Sequence, residues 1–308
     1  MPINTLEFTT IMQTQLDQQI EAEAVTGFME ANAGQVQYNG GRTIKLPTIS
    51  TTGLADYDRD KGFNNMGAVT LAYTPYTMTM DRGTTFQLDA MDVNETNFVA
   101  TAAAVMKDFQ TSHVIPEIDA YRLSTLAQKA KEATNTEAIA LTAANAFSKV
   151  REHARAVRDY VGQQVPLVCT ITSEAMGLIE DSDKYQRMVS IAGTGANDLN
   201  LGIRSIDGVY FIIVPSGRMQ DKYEYLTGAG AGTAQERFGF KPATDAKGIN
   251  WLLFPRTVPI AVSKTDTVRL FTPENYQNAH AWKIDYRKYH DLWVKKSMLK
   301  ALFACTKA

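Results

Sequence analysis

Hydrophobic and polar positions alternate most regularly in residues 43–89, which the pattern predicts to be a long β-ribbon. The first arm, residues 43–49, alternates apolar and polar side chains at the period of a half-buried strand. The second arm, residues 69–80, alternates in the same way, but its apolar positions change parity at Pro75. Because proline cannot donate to a strand ladder, this change predicts a twist or a bulge there. An isolated hairpin is marginal in water, so the ribbon needs a surface to rest on, and another copy of the chain could supply it.

The tip of the ribbon is a polar run, residues 56–62, whose aspartates and glycine are typical of turns. Its three aspartates have the alternate spacing of a calcium-binding loop. Lys61, however, stands where such a loop requires glycine, and Gly67 stands where it requires a bidentate glutamate. The mismatch favours a solvated turn over a metal site.

The N-terminal segment is predicted to be an amphipathic helix with acidic polar faces. Its apolar residues recur every four positions, at Met12, Leu16, Ile20, Ala24 and Phe28. Residues 1–41 carry five acidic side chains and no lysine or arginine, whereas residues 283–308 carry a net charge of +5. Two interpretations stay open, because exposed charge pairs contribute only about 0–1 kcal/mol each. Either each end is a solvated face, or the acidic segment lies on a basic surface of a neighbouring subunit.

Two further stretches have the period of an α-helix. Residues 94–131 follow a capping arrangement at Asp92 and continue with apolar residues at helical spacing. Pro116 interrupts them, so they form either one kinked helix or two, and in both cases a long spine. Residues 134–161 start with a capping-box spacing, keep a clean helical period and end at Gly162.

The rest of the sequence, from residue 166 onward, first contains both strand and helix patterns and then mainly strand patterns. Residues 166–172 are predicted to be a buried strand, and residues 173–180 a short capped helix behind it. From Trp251 onward most apolar runs are typical of strands, and apolar and charged side chains alternate in residues 282–287. A helix-rich middle followed by a strand-rich end predicts an α+β fold.

Composition is that of an ordinary globular protein. At 308 residues the chain exceeds the usual size of one core, so two domains, or one with large excursions, are expected. The net charge of −2 gives no overall attraction to nucleic acid, and no apolar run approaches the roughly 20 residues that span a bilayer. A secretory signal is not expected, because the first basic residue is Arg42. Cys169 and Cys305 are expected to be buried reduced thiols, consistent with synthesis in the cytosol.

No combination of residues predicts an active site, a cofactor or a metal centre. The glycines at 228, 230 and 232 lack the spacing of a nucleotide-binding loop, and the four histidines lack that of a zinc motif. Glu117 and Asp119 could form an acid–base pair, but capping in the first turn of a helix explains them more simply. No motif combines a nucleophile, a base and an orienting group. The chain is therefore predicted not to be an enzyme.

The order of these parts, from acidic arm through ribbon, spine helix and α/β middle to a strand-rich C-terminus, resembles the major capsid proteins of tailed bacteriophages. Their Hong Kong-type capsid fold is shared with encapsulins. Three local runs also resemble members of that family: residues 81–89 (DRGTTFQLD), 114–121 (VIPEIDAY) and 282–291 (WKIDYRKYHD). The likeness covers nearly the whole chain and lies in the order and co-occurrence of the parts.

The resemblance implies a Hong Kong-type α+β fold in four parts. Residues 1–42 correspond to an N-arm that reaches a neighbour, and residues 43–89 to an extended β-hairpin, the E-loop, that overlaps the adjacent subunit. Residues 90–135 and 266–308 correspond to a peripheral domain with the spine helix. Residues 136–265 correspond to an α/β axial domain that meets its copies around hexamer and pentamer axes.

The implied function is structural: a virion component, made in the cytoplasm of a bacterial host, that self-assembles into an icosahedral shell of hexamers and pentamers. The shell would enclose double-stranded DNA without sequence specificity and without a membrane. The portal protein and a separate scaffolding or decoration protein are the other implied partners. Some relatives crosslink an E-loop lysine, for which Lys61 is the candidate here, but no motif names its partner, so non-covalent packing is expected.

On this interpretation the ribbon tip and the arm carry intersubunit contacts. The expected contact residues are Asp56, Asp58, Arg59, Asp60, Lys61, Leu16, Ile20 and Phe28. Two alternatives stay open. One is an encapsulin-like nanocompartment shell, and the other is a soluble α+β enzyme of unknown reaction.

Overall fold

The computed structural model describes most of the chain. The described residues are 24–35, 37–38, 43–55, 57, 59–60, 67–89, 105–183, 185, 205–229, 237–276 and 278–308. The strands are β1 (Gln37–Tyr38), β2 (Thr43–Thr51), β3 (Val69–Thr77), β4 (Met80–Asp89), β5 (Thr136–Ile139), β6 (Leu167–Thr172), β7 (Ser205–Ile206), β8 (Val209–Val214), β9 (Tyr223–Tyr225), β10 (Phe240–Pro242), β11 (Ile249–Pro255), β12 (Pro259–Phe271), β13 (Ala281–Val294) and β14 (Phe303–Lys307). The α-helices are α1 (Ile115–Glu132), α2 (Ala146–Val161) and α3 (Ser173–Glu180), and Gly27–Gln35, Ser216–Arg218 and Lys296–Ala301 form 3-10 turns.

Within the described residues the spine is one continuous helix over residues 105–132, so Pro116 does not divide it into two helices. Residues 94–104, which the prediction included, lie outside the described residues. A π-helical segment, Gln110–Val114, lies directly before α1 and ends two residues before Pro116. Proline has no N–H to bond the preceding turn, so the helix widens locally there and does not break. The helix packs against two sheets, because Ile118 and Leu123 belong to two different hydrophobic clusters.

The first sheet consists of three long antiparallel strands in the order β12, β13, β4. Along β13, Ile284 and Tyr286 are buried against the spine helix, and the charged residues between them alternate toward the other side. Phe109 of the spine helix packs edge-on against Tyr286 and against Phe86 of β4, with ring centroids 5.7 and 5.1 Å apart. The alternation predicted for residues 282–287 is confirmed.

Strands β4 and β13 approach each other closely at Gly83. A Cβ atom at this position would lie 2.7 Å from the carbonyl oxygen of Tyr286, well inside van der Waals contact. The adjacent Arg287 forms two hydrogen bonds with Asp81, of 2.9 and 2.6 Å. Glycine is needed here because a neighbouring strand leaves no room for a side chain.

The second sheet has six strands in the order β5, β14, β11, β6, β8, β7. The pairs β5/β14 and β6/β8 are parallel, and the other neighbours are antiparallel. One face packs against the spine helix and the other against α2 and α3. Every residue of β6 and β11 is buried, as befits central strands covered on both faces. The predicted α+β class is confirmed, as are the buried strand β6 and the helix α3 behind it.

Residues 134–145 are not helical, so the prediction of a helix over residues 134–161 was wrong at its start. Strand β5 occupies part of this stretch and pairs in parallel with β14 at the edge of the six-stranded sheet. Helix α2 begins only at Ala146 and ends before Gly162, whose φ of 97° favours glycine. Local helical spacing was overridden because pairing with a distant strand satisfies the backbone groups of β5.

A buried histidine fastens β5 to α2. His153 Nε2 lies 2.7 Å from Glu137 Oε2, and Trp251 Nε1–H donates to His153 Nδ1 at 3.2 Å. With Nδ1 accepting, the neutral imidazole carries its proton on Nε2 and donates to Glu137. Burial lowers the pKa of His153, and the hydrogen bond from the imidazole lowers the pKa of Glu137. The hydrogen bond from Trp251 therefore requires a neutral histidine.

Both cysteines are buried and unpaired, as expected. Burial raises the pKa of the Cys169 thiol and raises that of Cys305 to about 12. Within the described ranges, no helix combines the length and apolar character needed to cross a bilayer.

Acid is expected to destabilise the folded subunit below about pH 6.5. His153 and His290 are buried with lowered pKa values, so below that pH the unfolded chain binds more protons than the folded chain. Their contribution is complete above the ordinary histidine pKa and is lost as the pH falls, by up to about 1.4 kcal/mol per pH unit for each group. Urea denaturation at a series of pH values measures this slope.

The variant His153→Gln is expected to reduce the slope below about pH 6.5, because one of the two buried imidazoles no longer titrates. The matched control is His280→Gln, at an exposed histidine, which should keep the wild-type slope. An unchanged slope in His153→Gln would contradict the assignment.

Substitution of Gly83 by alanine is expected to cost about 1–3 kcal/mol, because the added methyl group overlaps the backbone of β13. Gly177→Ala, in α3, is the control: its Cβ would meet nothing within 4 Å, and helix propensity predicts a gain of about 0.5–1 kcal/mol. Thermal unfolding of the two variants compares them, and equal melting temperatures would argue against the close approach.

Candidate assembly surface

The ribbon predicted from the sequence is present as the three-stranded sheet β1, β2, β3. Strands β2 and β3 pair antiparallel without a break in register, from Thr43 opposite Thr77 to Thr51 opposite Val69. The bulge considered at Pro75 is not formed, since this residue pairs in register with Lys45. The apolar residues change parity because those of the root and those of the outer half lie on opposite faces of the ribbon. The pairing of the two strands continues unchanged.

The root of the ribbon is anchored through one face. Ile44 and Leu46 of β2 are wholly buried and pack with Met78 and Ile260. On β3, Tyr76 packs against Trp293 of β13, with ring centroids 6.0 Å apart. This face of the root is therefore part of the core of the subunit.

A buried carboxylate fixes the chain where it leaves the ribbon. Asp291 accepts hydrogen bonds from the Thr79 N–H at 2.8 Å, the Thr79 hydroxyl at 3.1 Å and the Tyr121 hydroxyl at 2.6 Å. Burial raises the pKa of Tyr121, and the Asp291 carboxylate raises it further. Strand β4 then joins the long sheet, where Arg82 pairs with Glu117 of the spine helix at 2.7 Å. The ribbon thus leaves the subunit from a fixed position.

The outer half of the ribbon exposes apolar side chains on the opposite face. Cross-strand partners share one face of a sheet, so Ile49 and its partner Leu71 lie in one row with Val69 and Tyr73. These residues are 68, 53, 73 and 44% exposed, respectively. We call Ile49, Val69, Leu71 and Tyr73 the ribbon stripe. Because side chains alternate along a strand, the stripe faces away from the side on which Ile44 is buried.

A row of large apolar side chains in water favours association. Full burial of one such side chain is worth about 1.5–3 kcal/mol, and a contiguous exposed apolar patch marks an interaction surface. The intervening residues Ser50 and Thr70, which pair on the other face, are polar. The ribbon stripe can therefore bind an apolar surface through one face only.

Asp119 holds the described N-terminal segment against the spine helix. Its carboxylate is wholly buried and accepts from the Val25 N–H at 3.2 Å, the Thr26 N–H at 3.0 Å and the Thr26 hydroxyl at 2.6 Å. Arg218 completes the set with a hydrogen bond of 2.9 Å. Capping was therefore the wrong explanation for Asp119: its partners are distant in sequence. Glu117 likewise bonds a distant residue, Arg82.

Arg122 adds a second contact between the same elements. Its side chain is 1% exposed, donates to the Thr26 carbonyl at 3.2 Å and pairs with Glu30. Burial alone would raise the pKa of Glu30, but the Arg122 guanidinium, together with Lys288 and Ser263, outweighs that effect and lowers the pKa. We call Asp119, Arg122, Glu30, Thr26 and Arg218 the clasp.

The contact residues predicted from the sequence are only partly within the described chain. Phe28 stacks on Phe254 of its own subunit, with centroids 6.5 Å apart. Arg59 and Asp60 lie in an exposed turn at the ribbon tip. The others, Leu16, Ile20, Asp56, Asp58 and Lys61, lie outside the described residues. An intersubunit role for this set stays a prediction.

The ribbon stripe was not among the predicted contact residues. Its sequence signal was the apolar parity in residues 69–73, which is opposite to that of the root. The clasp carried no such signal, because its donors and acceptors come from segments far apart in the chain. In the part of the chain that the structure describes, no three or more histidine, cysteine, aspartate or glutamate side chains cluster as metal ligands.

The basic C-terminal region is largely engaged within the subunit. Four of its seven basic residues form ion pairs, namely Lys283 with Asp285, Arg287 with Asp81, Lys288 with Asp266 and Lys307 with Glu174. The charge complementarity between the two ends of the chain is therefore smaller in the folded subunit than in the sequence.

Comparison with known proteins relates this architecture to solved structures. No family model matches the sequence, and no curated protein matches it. The mature capsid of bacteriophage PhiM1 is 12% identical over 88% of this chain and 83% of that chain, with a TM-score of 0.58. The capsid of cyanophage P-SCSP1u is 10% identical over 88% and 85%, with a TM-score of 0.56. The chain has the fold of a phage capsid subunit.

A structure from Mycobacterium phage Che8 matches similarly, at 12% identity over 86% of this chain and 84% of that chain, with a TM-score of 0.55. The Hong Kong-type capsid fold inferred from the order of the sequence elements is confirmed. At these identities the likeness concerns the capsid fold alone.

Replacement of Asp119 by asparagine is expected to destabilise the subunit by about 3–5 kcal/mol, because Arg218 and the Thr26 donors lose a buried anionic partner. Urea denaturation measures the loss, and limited proteolysis should show earlier cleavage near residues 24–35. Glu132→Gln removes the exposed pair with Lys129 and should cost at most about 1 kcal/mol. Similar losses in both variants would contradict the role of the clasp.

Proposed function

We propose that this protein is the major capsid protein of a tailed bacteriophage, a virion component that assembles into hexamers and pentamers of an icosahedral shell. The observation that carries the proposal is the ribbon stripe, an exposed apolar row on an arm with an anchored root. The capsid fold supports it, because the solved structures with this architecture include the mature capsid of bacteriophage PhiM1 and the capsid of cyanophage P-SCSP1u.

The physical argument starts from the two faces of the ribbon. The root is held by apolar packing on one face and by the hydrogen bonds of Asp291, so the arm is presented in one direction. The outer half turns its apolar face away from the subunit that holds it. Burial of the four side chains of the ribbon stripe would require a surface from outside the subunit, and a neighbouring copy supplies one in a closed assembly.

The four-part organisation follows as part of this proposal. Residues 1–42 would act as an N-arm, 43–89 as the E-loop, 90–135 with 266–308 as the peripheral domain, and 136–265 as the axial domain. In the described structure β4 pairs with β13, so the part of the E-loop that stands apart as a ribbon ends at Thr77. The axial domain would meet its copies around the symmetry axes.

The enclosed DNA would be held without sequence-specific contacts. The net charge of −2 agrees with containment, because tight binding of DNA by every subunit needs many lysine or arginine contacts to phosphates. The portal protein and a separate scaffolding or decoration protein are further partners on this proposal. The subunit's role is structural and not catalytic.

The test is electron microscopy and sedimentation of the recombinant protein under assembly conditions, with shells as the expected result. The variant Ile49→Asp/Leu71→Asp places two carboxylates in the ribbon stripe and should abolish shells while leaving the melting temperature of the subunit unchanged within about 2 °C.

The matched control is Ser50→Asp/Thr70→Asp, which adds the same charges to the same strand pair on its opposite face. This control should still form shells. Normal shells from the stripe variant would refute the role of the stripe, and a wild-type protein that forms only a small stable oligomer would overturn the proposed function. Shells that contain a cargo enzyme and no DNA would favour the alternative of an encapsulin-like nanocompartment.

A further inference from the structure

Lysines are concentrated in the connection between β13 and β14. Residues 295–302, which we call the basic turn, contain Lys295, Lys296 and Lys300 and no acidic side chain. The other four basic residues after position 282 form ion pairs within the subunit. Lys296 and Lys300 are exposed, and neither forms an ion pair with any residue that the structure describes. The basic turn therefore presents positive charge to the outside of the subunit.

The backbone of the basic turn is held by the ends of two helices. Tyr160 of α2 donates its hydroxyl hydrogen to the Ser297 carbonyl at 2.5 Å. Asn135, just beyond the spine helix, donates to the Lys300 and Leu302 carbonyls at 3.0 and 3.2 Å. The Leu302 side chain is buried in the core. The position of the turn is thus fixed, while its exposed lysine side chains extend into solvent.

A further cation lies at the same end of the six-stranded sheet. Arg256 stands in the turn between β11 and β12, is exposed, and makes no ion pair within the described residues. Val294, directly before the basic turn, pairs with Pro259 at the start of β12. Phe303, directly after it, pairs with Leu253 near the end of β11. Since neighbouring strands are only about 5 Å apart, the two turns belong to one surface.

This surface is positively charged and poor in large apolar side chains. The helix ends that hold the turn add no net negative charge, because Glu132 forms an ion pair with Lys129, and Asp159 adjoins Arg158. Met298, which is 42% exposed, is the large apolar side chain that the turn offers. A protein partner would have little apolar area to bury here, so the surface is better suited to a ligand that is bound through charge.

The phosphates of duplex DNA are such a ligand. A lysine ammonium is a point charge on a flexible stem, so it can neutralise a phosphate without a fixed geometry. Duplex DNA presents one negative charge for about every 1.7 Å of its axis, and each cation that binds it releases counterions. Contacts of this kind do not depend on sequence. A few of them on each subunit give weak binding, which agrees with containment of DNA without tight binding.

We propose that the basic turn, together with Arg256, contacts the phosphates of the enclosed double-stranded DNA and therefore lies on the inner surface of the shell. This inference rests on the proposed function. It adds to that function the surface that meets the DNA and the end of the six-stranded sheet that faces the interior.

The phosphate contact is tested on unassembled full-length subunits, by fluorescence anisotropy with a labelled DNA duplex of mixed sequence at a series of salt concentrations. Four cations predict a slope of about −3 to −4 in a plot of the logarithm of the binding constant against the logarithm of the salt concentration. The variant Lys296→Gln/Lys300→Gln should reduce that slope by about 2 and weaken binding at low salt about tenfold.

The matched control is Lys45→Gln/Lys107→Gln, which removes two exposed lysines from the ribbon root and the spine helix. This control should keep the wild-type slope. Equal losses in the two variants, or no salt-dependent binding by the wild-type protein, would overturn the proposal. Binding of poly-glutamate that is tighter than binding of DNA, and is lost in Lys296→Gln/Lys300→Gln, would assign the turn to an acidic protein and also overturn it.

The inward orientation is tested on intact shells with an amine-reactive dextran too large to enter them. Labelled lysines are mapped by mass spectrometry before and after the shells are disrupted. Lys296 and Lys300 should be labelled only after disruption. Labelling of either residue in intact shells would place the basic turn on the outer surface and contradict the inference.

Failure of this inference can be distinguished from failure of the proposed function. If normal shells form but the basic turn is labelled from outside or does not bind DNA, the inference alone is wrong. If the wild-type protein forms no shells, the proposed function is overturned, and with it the inward position of the turn. The anisotropy measurement uses unassembled subunits, so it still decides whether the turn contacts phosphates.

Discussion

A carboxylate removed from water has to be matched by donors, and Asp119 finds its donors in two distant parts of the chain. The backbone and hydroxyl of Thr26 and the guanidinium of Arg218 meet on this one side chain of the spine helix. Loss of any partner would leave a buried charge or dipole unsatisfied, which costs several times more than the bond contributes. The clasp thereby joins the N-terminal segment and the six-stranded region to the spine helix. The spine helix in turn fixes the root of the ribbon through Tyr121 and Asp291.

The ribbon serves two purposes with one pair of strands. Near the subunit its covered face carries Ile44 and Leu46, which belong to the core. Farther out the apolar residues are on the other parity and face solvent. A continuous antiparallel register makes this possible, because successive side chains of a strand point to opposite faces without any change in the backbone. The same alternation that stabilises the root therefore leaves an apolar surface for another molecule.

The basic residues near the C-terminus leave less charge free for contacts outside the subunit than their distribution in the sequence suggests. Most of the basic residues near the C-terminus are engaged by acids from other strands, so they stabilise sheets within one subunit. The ribbon stripe is an exposed apolar surface whose burial would contribute more free energy than exposed ion pairs do.

The sequence by itself determined the elements whose signal is local and repeated: the two arms of the ribbon, the alternation in β13, the period of α2 as far as Gly162, and the order of parts from which the capsid fold was inferred. Only the tertiary structure decided the rest. Residues 136–139 became a strand because β14 offered a free edge, and Asp119 became the centre of the clasp because segments more than ninety residues apart meet there. The sequence pattern also could not tell which apolar parity of the ribbon would be covered. That choice depends on where the body of the subunit lies, and periodicity along a strand carries no information about position in space.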